Sequence, residues 1–364
     1  MVYFVADHYI FQFSLLQGYM RKVFVTGGAG FIGSAFIKLV LDETSDCFVT
    51  NFDALTYAGN LDNLKGLDAD PRYHFIRGDI ADREAVLGAL ADGGDAIVAI
   101  VNFAAESHVD RSITSADDFL RTNVAGTQVL LDAARAKGVK RFVHISTDEV
   151  MGSLPEDDRS FFTEDSPFAP NSPYAASKAA AEHLVRAARH TFGLDTVVTR
   201  CGNNYGPRQF PEKFLPLAIA NAMNDQPIPV YGDGLNVRDW IYVEDHCRAI
   251  LAVMERGKPG GVYNIGARNP RRNLDVVQSL LEALGKPRSL IRYVTDRPGH
   301  DRRYAIDPSF IESELDWRPR ETWSSGLTKT INWYRENNEW LENTRSGAYR
   351  DYYKLQYGTE VNAR

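Results

Sequence analysis

The sequence predicts an α/β fold: a doubly wound parallel sheet joined to a smaller mixed α/β lobe. Three observations carry this expectation. Short β-branched runs alternate with longer helical patterns over residues 21–200, and strands alternating with helices argue for a parallel sheet covered on both faces. A glycine-rich turn follows the first strand and opens the first helix. After about residue 201 the rhythm breaks, as turns multiply at Tyr205-Gly206-Pro207, Pro227-Ile228-Pro229, Gly232-Asp233-Gly234 and Pro259-Gly260-Gly261.

Taken in order, the patterning predicts strands at Lys22–Thr26, Phe48–Asp53, Tyr73–Arg77, Ala96–Phe103, Arg141–Thr147 and Asp195–Arg200. Helices are predicted between them at Phe31–Leu41, Asp82–Leu90, Asp117–Lys137 and Pro173–Phe192. Beyond residue 201, helices resume at Lys213–Asn224, Val243–Arg256 and Leu274–Leu284. The expected organisation is an extension over 1–20, a Rossmann-type nucleotide-binding domain mainly over 21–200, and a substrate-binding lobe mainly over 201–364. The lobe is interleaved with the last elements of the first domain. Ligands of open α/β sheets bind at the carboxyl ends of strands, and a second lobe placed there closes a cleft.

Composition narrows the function. The chain has 364 residues, 44% hydrophobic and 24% charged, which excludes disordered and collagen-like classes. With 41 Lys plus Arg against 48 Asp plus Glu, the formal charge is −7, so no general attraction to nucleic acid or anionic lipid is expected. No apolar run of about 18 residues predicts a membrane span. Cys47, Cys201 and Cys247 are odd in number and widely spaced, so neither a disulfide framework nor a metal site is expected, and this usage suits a reducing cytoplasm. Residues 1–20 are apolar and aromatic but lack a basic n-region and a small-residue cleavage site. They read as an extension before the domain, or alternatively as an extra packing or dimer segment.

Thr26-Gly27-Gly28-Ala29-Gly30-Phe31-Ile32-Gly33 follows a strand and opens a helix. Gly27, Gly30 and Gly33 permit a tight turn, close approach of backbone to a pyrophosphate, and close helix–strand packing. The helix N-terminus adds oriented N–H groups for phosphate. Asp53 ends the next strand twenty residues after Gly33, where a carboxylate binds ribose hydroxyls and repels a 2′-phosphate. NAD, rather than NADP, is the expected cofactor. Asp79-Ile80 follows the third strand, where Asp79 either accepts from the adenine amine, caps the next helix, or does both. Ala104 and Ala105, small residues at the end of the fourth strand, let the backbone approach the cofactor. Asn123, mid-helix, reads as a polar strut.

Tyr174 and Lys178 are spaced i, i+4 and share a helix face, with Ser172 as N-cap and Pro173 at the first position. A lysine ammonium one turn away, with a cationic nicotinamide ring, would stabilise the phenolate, letting Tyr174 take a proton from a substrate hydroxyl. Thr147-Asp148-Glu149 ends the fifth strand. Packing two carboxylates together should raise one pKa and separate a proton donor from an acceptor. That pair implies chemistry beyond hydride transfer.

Together these motifs resemble the extended short-chain dehydrogenase/reductase family, and within it the nucleotide-sugar 4,6-dehydratases, from about Met20 to Gly358. The residues carrying the resemblance are 26–33, 104–112 (Ala-Ala-Glu-Ser-His-Val-Asp-Arg-Ser), 147–150, 172–178, 203–207, 210–213 (Phe-Pro-Glu-Lys), 237–246 and 297–301 (Arg-Pro-Gly-His-Asp). The resemblance implies NAD-dependent conversion of dTDP-glucose to dTDP-4-dehydro-6-deoxy-glucose by C4 oxidation, loss of water across C5 and C6, and reduction at C6. Tyr174 would be the C4 base beside Lys178, Thr147 a hydrogen-bond partner of the C4 oxygen, Glu149 the C5 base and Asp148 the acid for the C6 hydroxyl. The implied cofactor contacts are Gly27, Gly30, Phe31, Ile32, Gly33, Asp53, Ala54, Leu55, Thr56, Asp79, Ile80, Phe103, Ala104, Ala105, Thr122, Tyr174, Lys178 and Asn204. The implied substrate contacts are Ser107, Thr147, Asn203, Lys213, Phe214, Arg238, Asn273, Arg297 and His300, with Pro229, Val230 and Tyr231 as the base pocket. A homodimer through the helices at 117–137 and 173–192 is also implied.

The chain departs from the family at Met151, where Tyr is usual. The runner-up reading within the same fold is a nucleotide-sugar 4-epimerase or a UDP-glucuronate decarboxylase, neither of which needs the Asp148-Glu149 pair. From a different class, the runner-up is a non-catalytic NAD-binding regulator.

Overall fold

The computed structural model describes residues 21–91, 97–156 and 159–345; the extension at 1–20 and the end of the resemblance near Gly358 lie outside them. Seven parallel strands form the main sheet in the order β10-β6-β5-β4-β1-β2-β3. They are β1 (Arg21–Thr26), β2 (Cys47–Asp53), β3 (Tyr73–Arg77), β4 (Ile97–Asn102), β5 (Arg141–Thr147), β6 (Thr196–Cys201) and β10 (Val262–Ile265). Order reverses at β1, the switch point of a doubly wound sheet. Strand alternation loads both faces: in β1, Val23 and Val25 enter the core under helices Phe31–Glu43 and Val243–Arg256, while Phe24 enters the core on the other face.

Two boundaries differ instructively from the sequence expectation. The sixth strand starts at Thr196, one residue later than expected, and Asp195 just before it pairs with Arg141 at 2.9 Å. The helix expected over 117–137 is helical throughout but widens to a π-helix over Leu120–Gly126. A Cβ on Gly126 would meet Ile80 at 2.6 Å, so glycine is needed where the widened turn crosses the loop after β3.

The smaller region has its own core around Tyr205, Leu215, Trp240, Leu280 and Tyr334. It contains two short sheets. β7 (Asn203–Tyr205) and β11 (Pro270–Arg272) flank β9 (Val237–Tyr242), parallel and antiparallel respectively, and β8 (Ile228–Tyr231) pairs in parallel with β12 (Ile291–Val294). Among the described residues no helix is long and apolar enough to cross a membrane.

Candidate active site

A cavity of about 1270 Å³ runs along the carboxyl edge of the main sheet, walled by the ends of β1, β2, β4, β5 and β6 and by helix Pro173–Phe192. At its floor, Gly27 has φ 70, and a Cβ there would lie 2.6 Å from the Ala104 amide nitrogen. A Cβ on Gly33 would strike the Gly27 carbonyl, and one on Gly28 would strike the Asn51 side chain. Gly28 is thus as tightly surrounded as Gly27 and Gly33, and more so than Gly30, whose Cβ would meet only the Gly27 carbonyl at 3.3 Å. Helix Phe31–Glu43 starts at Gly30 with no side-chain cap, so its first N–H groups are left for a ligand. These features fit a dinucleotide phosphate.

Asp53 is 7% exposed. Its carboxylate accepts from the Ala29 and Leu55 amides, each at 2.8 Å. Burial raises its pKa while those two N–H groups pull it down. Phe31, Ile32, Ala54, Thr56, Asp79, Ile80, Phe103, Ala104, Ala105 and Thr122 also wall the cavity. Leu55 does not: its backbone is left-handed (φ 53) and its side chain packs on the core. Asp79 does not cap the next helix; Asp82 accepts from Glu84 and Ala85 there. Asp79 instead accepts from the Ala81 amide and pairs with Arg121 at 2.6 Å. The Asn204 amide is turned to Gly202, Cys201 and His246.

Helix Pro173–Phe192 begins as its sequence dictates, with Ser172 Oγ accepting from the Ala175 amide at 3.1 Å. Tyr174 and Lys178 are both buried on its cavity side. Lys178 Nζ donates to the Ile145 carbonyl at 2.6 Å, and burial lowers its pKa to about 8 against the pull of Glu182. The Tyr174 phenol is pushed well up, by burial first and then by Glu149, against a hydrogen bond with Thr147.

Asp148 and Glu149 open a 3-10 turn directly after β5. Asp148 is 2% exposed; one oxygen takes the Thr147 hydroxyl at 3.3 Å and Oδ2 has no hydrogen-bond partner. Burial and the neighbouring Glu149 charge hold its carboxyl well above the ordinary range. Burial also raises Glu149, but Arg297, Arg238 and Lys213 all pull it back. Both carboxyls are raised, but the neighbouring charges differ: Asp148 is pushed further up by Glu149, whereas Glu149 faces three cations.

Lys213 donates to the Ser107 carbonyl at 2.7 Å, and both wall the cavity with Asn203. A second cavity of about 570 Å³ shares Asp110 and Thr114 with the first and is walled by Tyr231 and Arg297. Both residues bond Asp110, Tyr231 at 3.1 Å and Arg297 at 3.1 Å. His300 sits edge-on to Tyr231 and pairs with Asp296 at 2.6 Å. Arg238 is buried, over the Tyr304 ring and bonded to the Asp301 carbonyl. Six expected substrate contacts line neither of these two cavities: Phe214, Pro229, Val230, Arg238, Asn273 and His300. Phe214 packs on Trp240; Asn273 opens helix Asn273–Leu284, its amide bonded to Asn236; and Val230 is fully buried. Side chains alternate along a strand, so Pro229 and Tyr231 share one face of β8 and Val230 takes the other.

Sequence reasoning assigned no role to Tyr57, Glu106, Arg111 or Glu212, all of which wall the cavity. Arg111 and Glu212 stand inside motifs that carried the resemblance, so the signal was present without its geometry. Asn123 clamps the Glu106 backbone from both sides, at 2.9 Å each, and bonds Ser177.

The family model described as GDP-mannose 4,6 dehydratase matches residues 24–330. A dTDP-glucose 4,6-dehydratase of Escherichia coli is 50% identical over 355 residues, which are 90% of this chain and 97% of that protein. The crystal structure of the dTDP-glucose 4,6-dehydratase of Bacillus anthracis in complex with NAD superposes with a TM-score of 0.83 at 45% identity, covering 89% of this chain and 99% of that one. A UDP-glucose 4-epimerase of Thermus thermophilus in complex with NAD reaches a TM-score of 0.79 at 31% identity, over 87% of this chain and 99% of that one. Fold and site define an extended short-chain dehydrogenase/reductase with a buried carboxyl pair beside the tyrosine and lysine. The chain belongs to the GDP-mannose 4,6-dehydratase family, and within it to the dTDP-glucose 4,6-dehydratases.

Proposed function

We propose that this chain is a hydro-lyase that converts dTDP-glucose to dTDP-4-dehydro-6-deoxy-glucose with NAD held as its cofactor. The observation that carries this reading is the buried Asp148-Glu149 pair beside Thr147, Tyr174 and Lys178 on one cavity wall. NAD, when bound, would supply an acceptor for the C4 hydride and a donor of that hydride to C6, with C5 regaining a proton. The protein's own residues move the protons. Tyr174 takes the C4 hydroxyl proton while Thr147 holds the C4 oxygen and the Lys178 charge favours the phenolate. Glu149 takes the C5 proton, made acidic by the new C4 ketone, and Asp148 protonates the departing C6 hydroxyl. The uneven pull of Arg297, Arg238 and Lys213 supports that division. The glycine turn, the uncapped helix start and Asp53 support NAD binding.

Lys213, Arg238 and Arg297 supply the positive surroundings a sugar diphosphate needs, and Tyr231 supplies an aromatic face for the base. Residues 21–200 mainly serve the cofactor and 201–364 mainly the nucleotide sugar. A homodimer through the helices at 117–137 and 173–192, working in the cytoplasm, completes the reading. An epimerase or decarboxylase would need no Asp148-Glu149 pair.

The test supplies purified protein with dTDP-glucose and, side by side, UDP-glucose, following the sugar by mass and NADH by absorbance. The expected outcome is loss of one water from the dTDP sugar with no net NADH released, and a loss of about 10²–10⁴-fold in Tyr174→Phe. A 4-epimer without water loss, or near-normal turnover by Tyr174→Phe, overturns the assignment.

A further inference from the structure

Three segments that are remote in sequence meet across the mouth of the main cavity. Tyr57 lies in the loop after β2, Arg111 in helix Val109–Thr114 after β4, and Glu212 in the loop after β7. The Arg111 guanidinium carbon sits 3.9 Å from the Tyr57 ring centre. Arg111 Nη2 lies 3.2 Å from Glu212 Oε2, and the Glu212 side chain is 1% exposed. Burial, and after it the neighbouring Glu212 charge, raise the Tyr57 phenol well above its ordinary range. Phe210 packs edge-on against the Tyr57 ring at 5.8 Å.

The topology says what this contact crosses. In the sheet, β1 lies between β2 and β4, and β1 ends in the glycine turn. A bridge from the β2 loop to the β4 helix therefore passes in front of that turn. Tyr57, Arg111 and Glu212 line the same cavity as Gly27, Gly30 and Gly33. The Tyr57 loop is itself anchored at its base: the Asn60 amide and Asn63 Nδ2 both donate to the Ala29 carbonyl, and Trp340 Nε1 holds Asn63 Oδ1 at 3.0 Å. The loop is fixed at the glycine turn and held at its tip, so a dinucleotide seated on the turn lies beneath a closed strap.

We infer that Tyr57, Arg111 and Glu212 form a clasp that retains the dinucleotide between turnovers. The inference rests on the NAD reading above and gives it a physical basis, because a cofactor that is oxidised again in each cycle has no need to leave. Closing the strap joins a cation to an aromatic face and to a desolvated carboxylate, contacts that are strong when water is excluded.

The test measures release of bound NAD from the purified protein, by diluting it, collecting free nucleotide by rapid filtration at intervals and quantifying it by absorbance. Tyr57→Leu and Glu212→Gln are each expected to speed release about tenfold, the size of losing one desolvated cation–aromatic contact or charged hydrogen bond. The double variant should release NAD no faster than the quicker single one, because both act on one unit. Tyr57→Phe, which keeps the ring beside the Arg111 guanidinium and removes only the hydroxyl, should accelerate release less than Tyr57→Leu and guards against a misfolded Leu variant. Unchanged release in the variants, or effects that multiply in the double variant, overturns the clasp while leaving NAD binding intact. If the unaltered chain carries and binds no NAD, the cofactor reading itself fails and the clasp falls with it.

Discussion

Two buried carboxylates, Glu182 one turn after Lys178 on its helix and Asp148 just after β5, are built on opposite terms. Glu182, 4% exposed, has its oxygens filled: Arg200 Nε and Nη2 reach them at 2.9–3.1 Å and Ser146 Oγ donates at 2.5 Å. Asp148, 2% exposed, has one long hydrogen bond from Thr147 and a bare second oxygen. A buried polar group is ordinarily satisfied. Complete satisfaction at Glu182 marks a brace: it ties helix Pro173–Phe192 to β5 at Ser146 and to β6 at Arg200, directly behind Thr147 and Cys201. Incomplete satisfaction at Asp148, in a cavity wall, is the pattern expected of the proton donor proposed above. The contrast is a way to tell frame from chemistry when both are buried acids.

The sharpest way to break this comparison is by rate. Glu149→Gln and Asp148→Asn should each cut water loss by about 10²–10⁴-fold while bound NADH still forms on mixing with substrate. Single-turnover absorbance alongside mass analysis of the sugar separates the two steps. If both variants fail to reduce bound NAD yet dehydrate a supplied 4-keto sugar nucleotide, the assigned order is reversed.

Stability should move the other way. Arg200→Met leaves Glu182 buried and uncompensated, a cost of about 3–5 kcal/mol, read as a lowered denaturant midpoint. Replacing Glu182 with Leu in the same chain should recover much of it. Asp148→Asn should instead stabilise. The Asp148 carboxyl holds its proton well above its ordinary 3.8, so its contribution to stability is full below that value and is lost as pH rises through the raised folded value. Asparagine stays neutral at every pH. Its melting-point gain should therefore be absent below about pH 3.8 and grow toward neutrality; a flat difference would mean Asp148 is not the protonated member.

The smallest effect should come from Met151→Tyr. Met151 is 3% exposed, packs with Val150, Phe162, Ala179 and Tyr304, and accepts from Arg200 through sulfur at 3.6 Å. It belongs to the packing around the brace rather than to the cavity wall. Steady-state turnover should change less than about twofold, with stability shifting by about 1 kcal/mol or less, since methionine and tyrosine both fill such gaps and differ mainly in a hydroxyl needing a partner. A large change in turnover would bring this position into the chemistry.

What the linear chain settles here is whatever a short stretch of backbone can settle. The glycine spacing at 27, 30 and 33 is legible within seven residues, although the steric demand at Gly27 comes from Ala104 on a neighbouring strand's end. Tyr174 and Lys178 share a face because a helix repeats every 3.6 residues, and Ser172 and Pro173 announce where that helix begins. Alternation within Ile228–Tyr231 was equally legible and, applied strictly, removes Val230 from the base pocket. Contacts between distant segments were decided only by packing. Arg111 and Glu212 are 101 residues apart, Asp110 and Arg297 are 187 apart, and Trp340 and Asn63 are 277 apart. No local propensity encodes such pairs. They form because burying the two cores brings the loops at the sheet's carboxyl edge against the smaller region, and once water is excluded there each charge has to find an opposite charge or remain poised without one.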